Sequence, residues 1–162
     1  MTGATPGYLG KVLIGVGTYS NTDVPSWGTE GTLTDPSTWY EVMSLKEADG
    51  TVDGKNVDVT TLGLTAVARL HVIVDTKYTL TGFYDETDTN GQDVLWTWLL
   101  GLAATPVTAP LMMMFEPTGS DSVGWKQCVL PSEIATKVIA GDVDQITIQV
   151  EGNGPIAPLT GA

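Results

Sequence analysis

Residues 94–115 read VLWTWLLGLAATPVTAPLMMMF, 22 positions without a charged side chain, in a chain whose formal net charge is −12. Three readings compete for this stretch: a membrane span, a helix buried in a core, or a surface that meets another protein. Two prolines decide the first. Pro106 and Pro110 lack a backbone N–H and clash with the turn before them, so no continuous helix crosses them. A span needs about 20 apolar residues in one helix. Upstream of the prolines, Thr89-Asn90-Gly91-Gln92 matches a capping box just ahead of the apolar run, which predicts a helix over about 90–103. At about 100° per residue, Val94, Leu95, Trp98, Leu99 and Leu102 fall on one stripe of it. Residues 111–115, LMMMF, then resume as a strand.

The helix carries more apolar surface than one core needs. Trp96 and Leu100 are four apart and lie off the stripe, where a surface helix normally places charge. Either the helix is buried on both sides within one domain, or its second side meets a neighbouring subunit. We favour the neighbour, because tryptophan is enriched at such contacts. Met112, Met113 and Met114 are adjacent, and side chains alternate along a strand, so at least one is expected to turn away from the core. Trp96, Leu100 and Met113 are therefore the candidate subunit interface.

Working outward, short β signals dominate. Residues 11–17, KVLIGVG, form a first strand with Val12, Ile14 and Val16 on one face. Residues 18–38 are rich in Thr, Ser, Gly and Pro and read as a long connection with Trp27 anchored in its middle. Residues 39–45, WYEVMSL, make a second strand. The following KEADGTVDGKN holds two turn signals, Asp49-Gly50 and Asp53-Gly54, and reads as a polar excursion over about 46–56, with 57–61 returning from it. Strands follow at 66–75, 77–84, 123–130 and 134–139. Residues 145–151, QITIQVE, alternate most cleanly, with Ile146, Ile148 and Val150 pointing in. The length and the 42% hydrophobic content suit a single domain over 1–162. Its core runs over about 10–154, between a flexible segment 1–9 and a flexible tail 155–162. The frequent turns and the many short strands make the fold class mainly β.

Function classes drop out in turn. Nineteen acidic side chains face seven basic ones, scattered so that no patch exists to hold phosphates. Cys128 is the only cysteine, so no intrachain disulfide forms. The first residues show no basic stretch leading into an apolar one, so synthesis inside the cell fits best. No P-loop, nucleophile elbow or complete dinucleotide fingerprint appears. His71 and Cys128 stand alone in their types; an ordinary structural role outweighs a catalytic pair. Calcium-loop frames on Gly54 and Gly91 both end on threonine instead of a bidentate Glu, and capping of the helix explains the acids of 85–93. No catalytic residue, metal site or cofactor is assigned.

Three stretches in this order are similar to one family. TKYTLTGFYDETDTNGQDVLWTWLLG (76–101) leads a strand into the single helix. KVIAGDVDQITIQVEGNG (137–154) closes the chain with a strand pair and a glycine. WYEVMSL, a long excursion and VDVTT lie between 39 and 61. Together they make the chain resemble a major tail tube protein of a long, non-contractile-tailed bacteriophage, a siphophage. The resemblance implies a β-sandwich or partial barrel flanked by one α-helix, with long loops, in a structural virion protein with no enzymatic activity, made in the host cytoplasm and resident in the tail. Six copies would join into rings and the rings would stack into a tube, with no membrane insertion. The loop over about 46–66, with Asp49, Gly50, Asp53, Gly54 and Lys55, would contact the next ring. The lumen would enclose a tape measure protein and pass DNA without specific binding, and lumen-facing acids such as Asp144 and Glu151 would keep that DNA from adhering. A tail terminator and a distal tail or baseplate protein would cap the ends. The alternative from another class is a β-sandwich binding module, a virion decoration or surface-adhesion domain; a small hydrolase using scattered carboxylates ranks last.

Overall fold

A computed structural model describes residues 10–19, 33–58, 69–103, 109–119, 123–153 and 156–159. In chain order these give β1 (Lys11–Val16), β2 (Thr18–Tyr19), β3 (Leu33–Thr34), β4 (Tyr40–Glu41), β5 (Leu45–Asp58), β6 (Arg69–Phe83), α1 (Gln92–Leu99), β7 (Leu111–Glu116), β8 (Trp125–Lys137), β9 (Gln145–Gly152) and β10 (Ala157–Pro158). The expected mainly β fold with one helix is what forms, as an open antiparallel sheet in the order β4-β1-β7-β8-β9-β6-β5. Trp27 lies outside the described residues.

β8 makes the sheet turn. Met112 to Phe115 of β7 pair with its first four residues, Trp125 to Cys128. Val129 to Lys137 pair with β9 instead, across a register shift between Pro131 and Glu133. Such a shift bends a strand and sharpens its twist. The two halves of the sheet therefore face one another across a single core. Val12 and Ile14 of β1 and Leu111 and Met113 of β7 come from one half. Tyr78 and Leu80 of β6 and Ile146, Ile148 and Val150 of β9 come from the other, with Leu95 of the helix between them. The inward triplet expected of 145–151 is fully buried.

Several expectations fail for physical reasons. Residues 39–45 are not one strand: β4 is two residues long, Met43 and Ser44 turn the chain, and Ser44 takes a left-handed φ of 60°. Neither Asp-Gly pair makes a turn. Both lie inside the 14-residue β5, which pairs with β6 along its whole length. A turn signal is a local preference, and a long ladder of partner hydrogen bonds overrides it. The segments read as separate strands at 66–75 and 77–84 merge into β6, and those at 123–130 and 134–139 into β8. The tail is not free: β10 pairs with Trp125 and Lys126, and Leu159 N–H donates to the Gly124 carbonyl at 2.9 Å.

The helix is also set differently from expectation. Thr89 does not cap it. Asp88, buried, accepts from the N–H groups of Gly91 (3.0 Å) and Gln92 (2.9 Å), and also from Met43 N–H (2.9 Å) at the distant turn. Gln92 is fully buried; its Oε1 accepts from Asp85 N–H, and its Nε2 donates to the carbonyls of Met43 and Phe83. One carboxylate and one amide thus tie the start of α1 to the end of β6 and to the turn after β4. The helix stops at Leu99 because Gly101 takes φ +69°. Leu102 N–H donates to the Thr97 carbonyl and Gly101 N–H to that of Trp98, the Schellman pattern that glycine permits.

A buried polar chain bridges the two halves on the core side. Trp125 Nε1–H donates to the Tyr78 hydroxyl (2.8 Å), which donates to Gln127 Oε1 (3.0 Å); Thr76 Oγ1 donates to the same oxygen (2.6 Å). Gly152 lies against it, and a Cβ there would collide with Thr76 and Gln127.

Two measurements check this fold. Asp88→Ala strips three backbone donors of their acceptor and should lower unfolding stability by about 3 kcal/mol in urea titrations, whereas Thr89→Ala, exposed just ahead of the helix and not capping it, should stay within about 0.5 kcal/mol. Burial raises the Tyr78 phenol above its ordinary 10.0, against the weaker opposing pull of hydrogen bonds to Trp125 and Thr76. The folded chain therefore holds that proton longer than the unfolded one. Its contribution is intact below about pH 10 and is lost as pH rises through the raised value. Tyr78→Phe should cost about 1–2 kcal/mol at neutral pH and flatten the alkaline fall in stability.

Candidate assembly surface

The described residues gather no three His, Cys, Asp or Glu side chains able to hold a metal ion. No helix among them is long and apolar enough to cross a membrane. Cys128 is buried beside Met112 on β8, while His71 stands opposite Asn56 at the far part of β6, so the two belong to different parts of the fold. What the surface does offer is apolar side chains, one projecting hairpin and one polar sheet face.

The apolar side chains begin at the helix end. Leu95 is fully buried, and Val94 and Trp98 pack against the core. Trp96 is half-buried, and Leu100, just past the last helical residue, is 62% exposed. Leu102 was placed on the core stripe by its spacing, yet it is 74% exposed. The Schellman turn reverses the chain before Leu102, and helical spacing no longer applies there. Met113 is a correction of the opposite kind. It is 1% exposed, inside the chain's own core, and has no surface to give a neighbour. Met112 is equally buried, on the other face of β7. Residues 34–38 cover that face: Pro36 lies over Gly15, the Thr34 carbonyl lies over Gly17, and Asp35 forms an ion pair with Lys126. Three methionines in a row thus leave none fully exposed.

The hairpin is the second feature. β9 pairs with β6 only from Lys77 to Phe83. From Val52 to Asp58, β5 and its partner residues Arg69 to Thr76 run on as a two-stranded arm. Thr51 to Asn56 are all exposed, on both alternating faces, which happens only where no second layer covers a ribbon. Asp49 and Gly50 sit at its root; Asp53, Gly54 and Lys55 sit on it, on a strand and not in a loop. Residues 59–68, which include the rest of the expected loop, lie outside the described residues.

The third feature was not read from the sequence. Alternation along β5, β6, β9 and β8 turns one set of side chains away from the core. Register aligns them in rows: Glu47–Thr81–Thr147–Ala135, Asp49–Thr79–Gln149–Glu133, and Thr51–Lys77–Glu151. With Asp53 and Asp75, paired directly opposite one another, this open face carries six carboxylates against Lys55, Lys77 and Lys137. The pattern was visible in each strand, but only cross-strand register joins the strands into one face. Glu151 belongs to it. Asp144 does not: it precedes β9, half-buried, and its Oδ1 accepts Ile139 N–H at 3.4 Å.

The sheet does not close. β4 and β5 are its opposite edges, yet only Val42, Met43 and Ser44 separate them in sequence. A cleft of about 500 Å³ marks the seam, with Val12, Leu45, Ala48 and Phe115 among its apolar lining and Lys11 and Glu116 among its charged groups.

No sequence-family profile matches the chain, and no curated protein matches it. Solved structures do match its fold. A chain in the tail of an empty gene transfer agent particle, with C6 symmetry, superposes with a TM-score of 0.62 at 10% identity, over 96% of this chain and 98% of that one. A chain in the tube-terminating cap of the anti-feeding prophage gives 0.54 at 12% identity, over 98% and 93%. The sheath/tube terminator of an extracellular contractile injection system gives 0.54 at 12% identity, over 97% of each. The fold is shared along nearly the whole chain, at identities where only the fold is informative.

The burial pattern predicts a contrast at the helix. Leu95→Ala should cost about 3 kcal/mol by leaving a core cavity, while Leu100→Ser should change unfolding stability by less than about 0.5 kcal/mol, both read from urea midpoints of the dilute protein. A large loss at Leu100 would mean that the chain itself already buries this side chain.

Proposed function

We infer that this chain is a structural, self-assembling tail tube subunit without enzymatic activity. The observation that carries it is the superposition along nearly the full length on a chain from the tail of a gene transfer agent particle. The surface fits that role. An open sheet presents two edges to pair or cover, the helix end offers Leu100 and Leu102, and an arm projects beyond the sheet. Similar folds occur in a particle tail and in contractile injection systems. The reading as the tube of a long non-contractile tail rests on the block 76–101 and the closing run 137–154.

The subunits are proposed to form hexameric rings that stack into a tube, with Trp96 and Leu100 at the contact within a ring. The open polar face suits the lumen. Six copies of a chain of formal charge −12 carry −72 per ring. Duplex DNA carries about one negative charge per 1.7 Å, so a face of carboxylates, threonines and glutamines lets it slide without adhering. The same lumen would enclose a tape measure protein during assembly. Terminator and distal tail or baseplate proteins would cap its ends.

Negative-stain electron microscopy of the purified protein tests this, with tubes or six-fold rings expected. Leu100→Glu should abolish them while leaving the thermal midpoint of the dilute protein within about 2 °C, since an exposed site contributes little to folding. Strictly monomeric wild-type particles at high concentration would sink the reading and favour a monomeric binding module.

A further inference from the structure

Residues 90–91 are an Asn-Gly pair, the dipeptide most open to spontaneous loss of side-chain ammonia. Asparagine is thermolabile, and a following glycine, with no Cβ, leaves its backbone nitrogen unhindered. In that reaction the Gly91 nitrogen gives up its proton and bonds to the Asn90 side-chain amide carbon. Ammonia leaves, and the cyclic imide takes up one water to open as an aspartyl or isoaspartyl residue at 90. Nothing is oxidised or reduced.

The fold restrains the nucleophile. Asn90 is exposed, but Gly91 is buried. Gly91 N–H donates to Asp88 Oδ1 at 3.0 Å, and the Gly91 carbonyl accepts Leu95 N–H at 3.3 Å. A Cβ at 91 would collide with both carboxylate oxygens of Asp88, so the carboxylate closes around this residue and only glycine fits. A nitrogen whose hydrogen is shared with a carboxylate resists deprotonation, because the anion it would become faces a second negative charge. A residue held at both its N–H and its C=O also cannot swing toward the neighbouring side chain. The carboxylate that caps the helix thereby shields a reactive pair. Asp49-Gly50 and Asp53-Gly54 can form the same imide by loss of water, but β5 holds both extended against β6. Of the four asparagines only Asn153 also precedes a glycine, and Gly154 lies outside the described residues.

We propose that Asn90-Gly91 is a latent deamidation site whose rate is set by Asp88, reacting only when the start of α1 opens. The recess beside it, about 360 Å³ and shared with Glu41 and Asp85, admits the water that opens the imide. An isoaspartyl product inserts one backbone methylene ahead of Gly91. That insertion moves the Gly91 and Gln92 N–H groups off Asp88 and makes the opening permanent.

Tryptic peptide 78–126 contains Asn90 as its sole asparagine. Mass spectrometry of timed digests, with fragmentation placing the amide-to-acid exchange at 90, therefore reads this site apart from Asn153. In mildly alkaline buffer the folded chain should react at least about a hundredfold more slowly than a synthetic peptide of residues 85–95, the ratio being the opening equilibrium of the helix start. Asp88→Ala should raise the rate at least about tenfold over wild type, since a charged acceptor is lost. Ile148→Ala, a core truncation on β9 away from the cap, should leave the rate within about twofold although it also lowers stability. Should Asp88→Ala not fold, Asp88→Asn, which keeps an oxygen for one donor, takes its place and should show a smaller rise in the same direction. Equal rates in the folded chain and the peptide, or equal acceleration by Ile148→Ala and the Asp88 variant, would overturn the proposal.

Discussion

β8 has two partners along its length, and the rest of the fold follows from that constraint. Its first four residues extend the β1–β7 half, and its remainder extends the β9–β6–β5 half. Because one strand belongs to both, the halves cannot separate without breaking its ladder, and their inner faces must share one core. Leu95 fills the space between them. The Trp125–Tyr78–Gln127–Thr76 chain of hydrogen bonds crosses the same junction, where satisfied polar groups add register to apolar packing that has none of its own.

The same constraint explains why the outer surface is divided. On the β1–β7 side, residues 34–38 lie across the sheet, and the outward-facing Met112 and Cys128 are buried. On the β9–β6–β5 side no described residue covers the sheet, and its outward side chains are mostly Thr, Gln, Lys, Asp and Glu. One continuous sheet therefore has one sealed region and one wet region, and the change from one to the other occurs along β8.

How much of this was legible depended on whether the signal was local. Ile146, Ile148 and Val150 announce β9 by alternation alone, and the uncharged run from Val94 announces a helix. That run does divide into a helix and the LMMMF strand, but Gly101, not a proline, ends the helix. Partnership was not legible. Asp49-Gly50 and Asp53-Gly54 carry turn chemistry, and only the presence of β6 opposite keeps them extended. Thr89 looked like the cap because it sits three residues before Gln92, but Asp88 has a third donor, Met43 N–H, that is distant in sequence. Gly101 was a readable stop signal, and taking it as one would have removed Leu102 from the core stripe. Met113 was assigned to the surface on the premise that a strand has one buried face, which fails for a strand covered on both.

That double cover of β7 has a consequence in redox chemistry. Met112, Met113 and Cys128 form a sulfur-rich seam that is almost sealed in the single chain. A methionine sulfoxide there would force a polar oxygen into apolar packing, so the seam is the part of the fold that oxidation would damage most and reach last. Among the described methionines the first one exposed to an oxidant is Met43, 51% exposed at the turn after β4. That turn is held through Met43's backbone N–H and carbonyl, not its thioether. Oxidation at this outlying sulfur leaves every hydrogen bond of the turn in place.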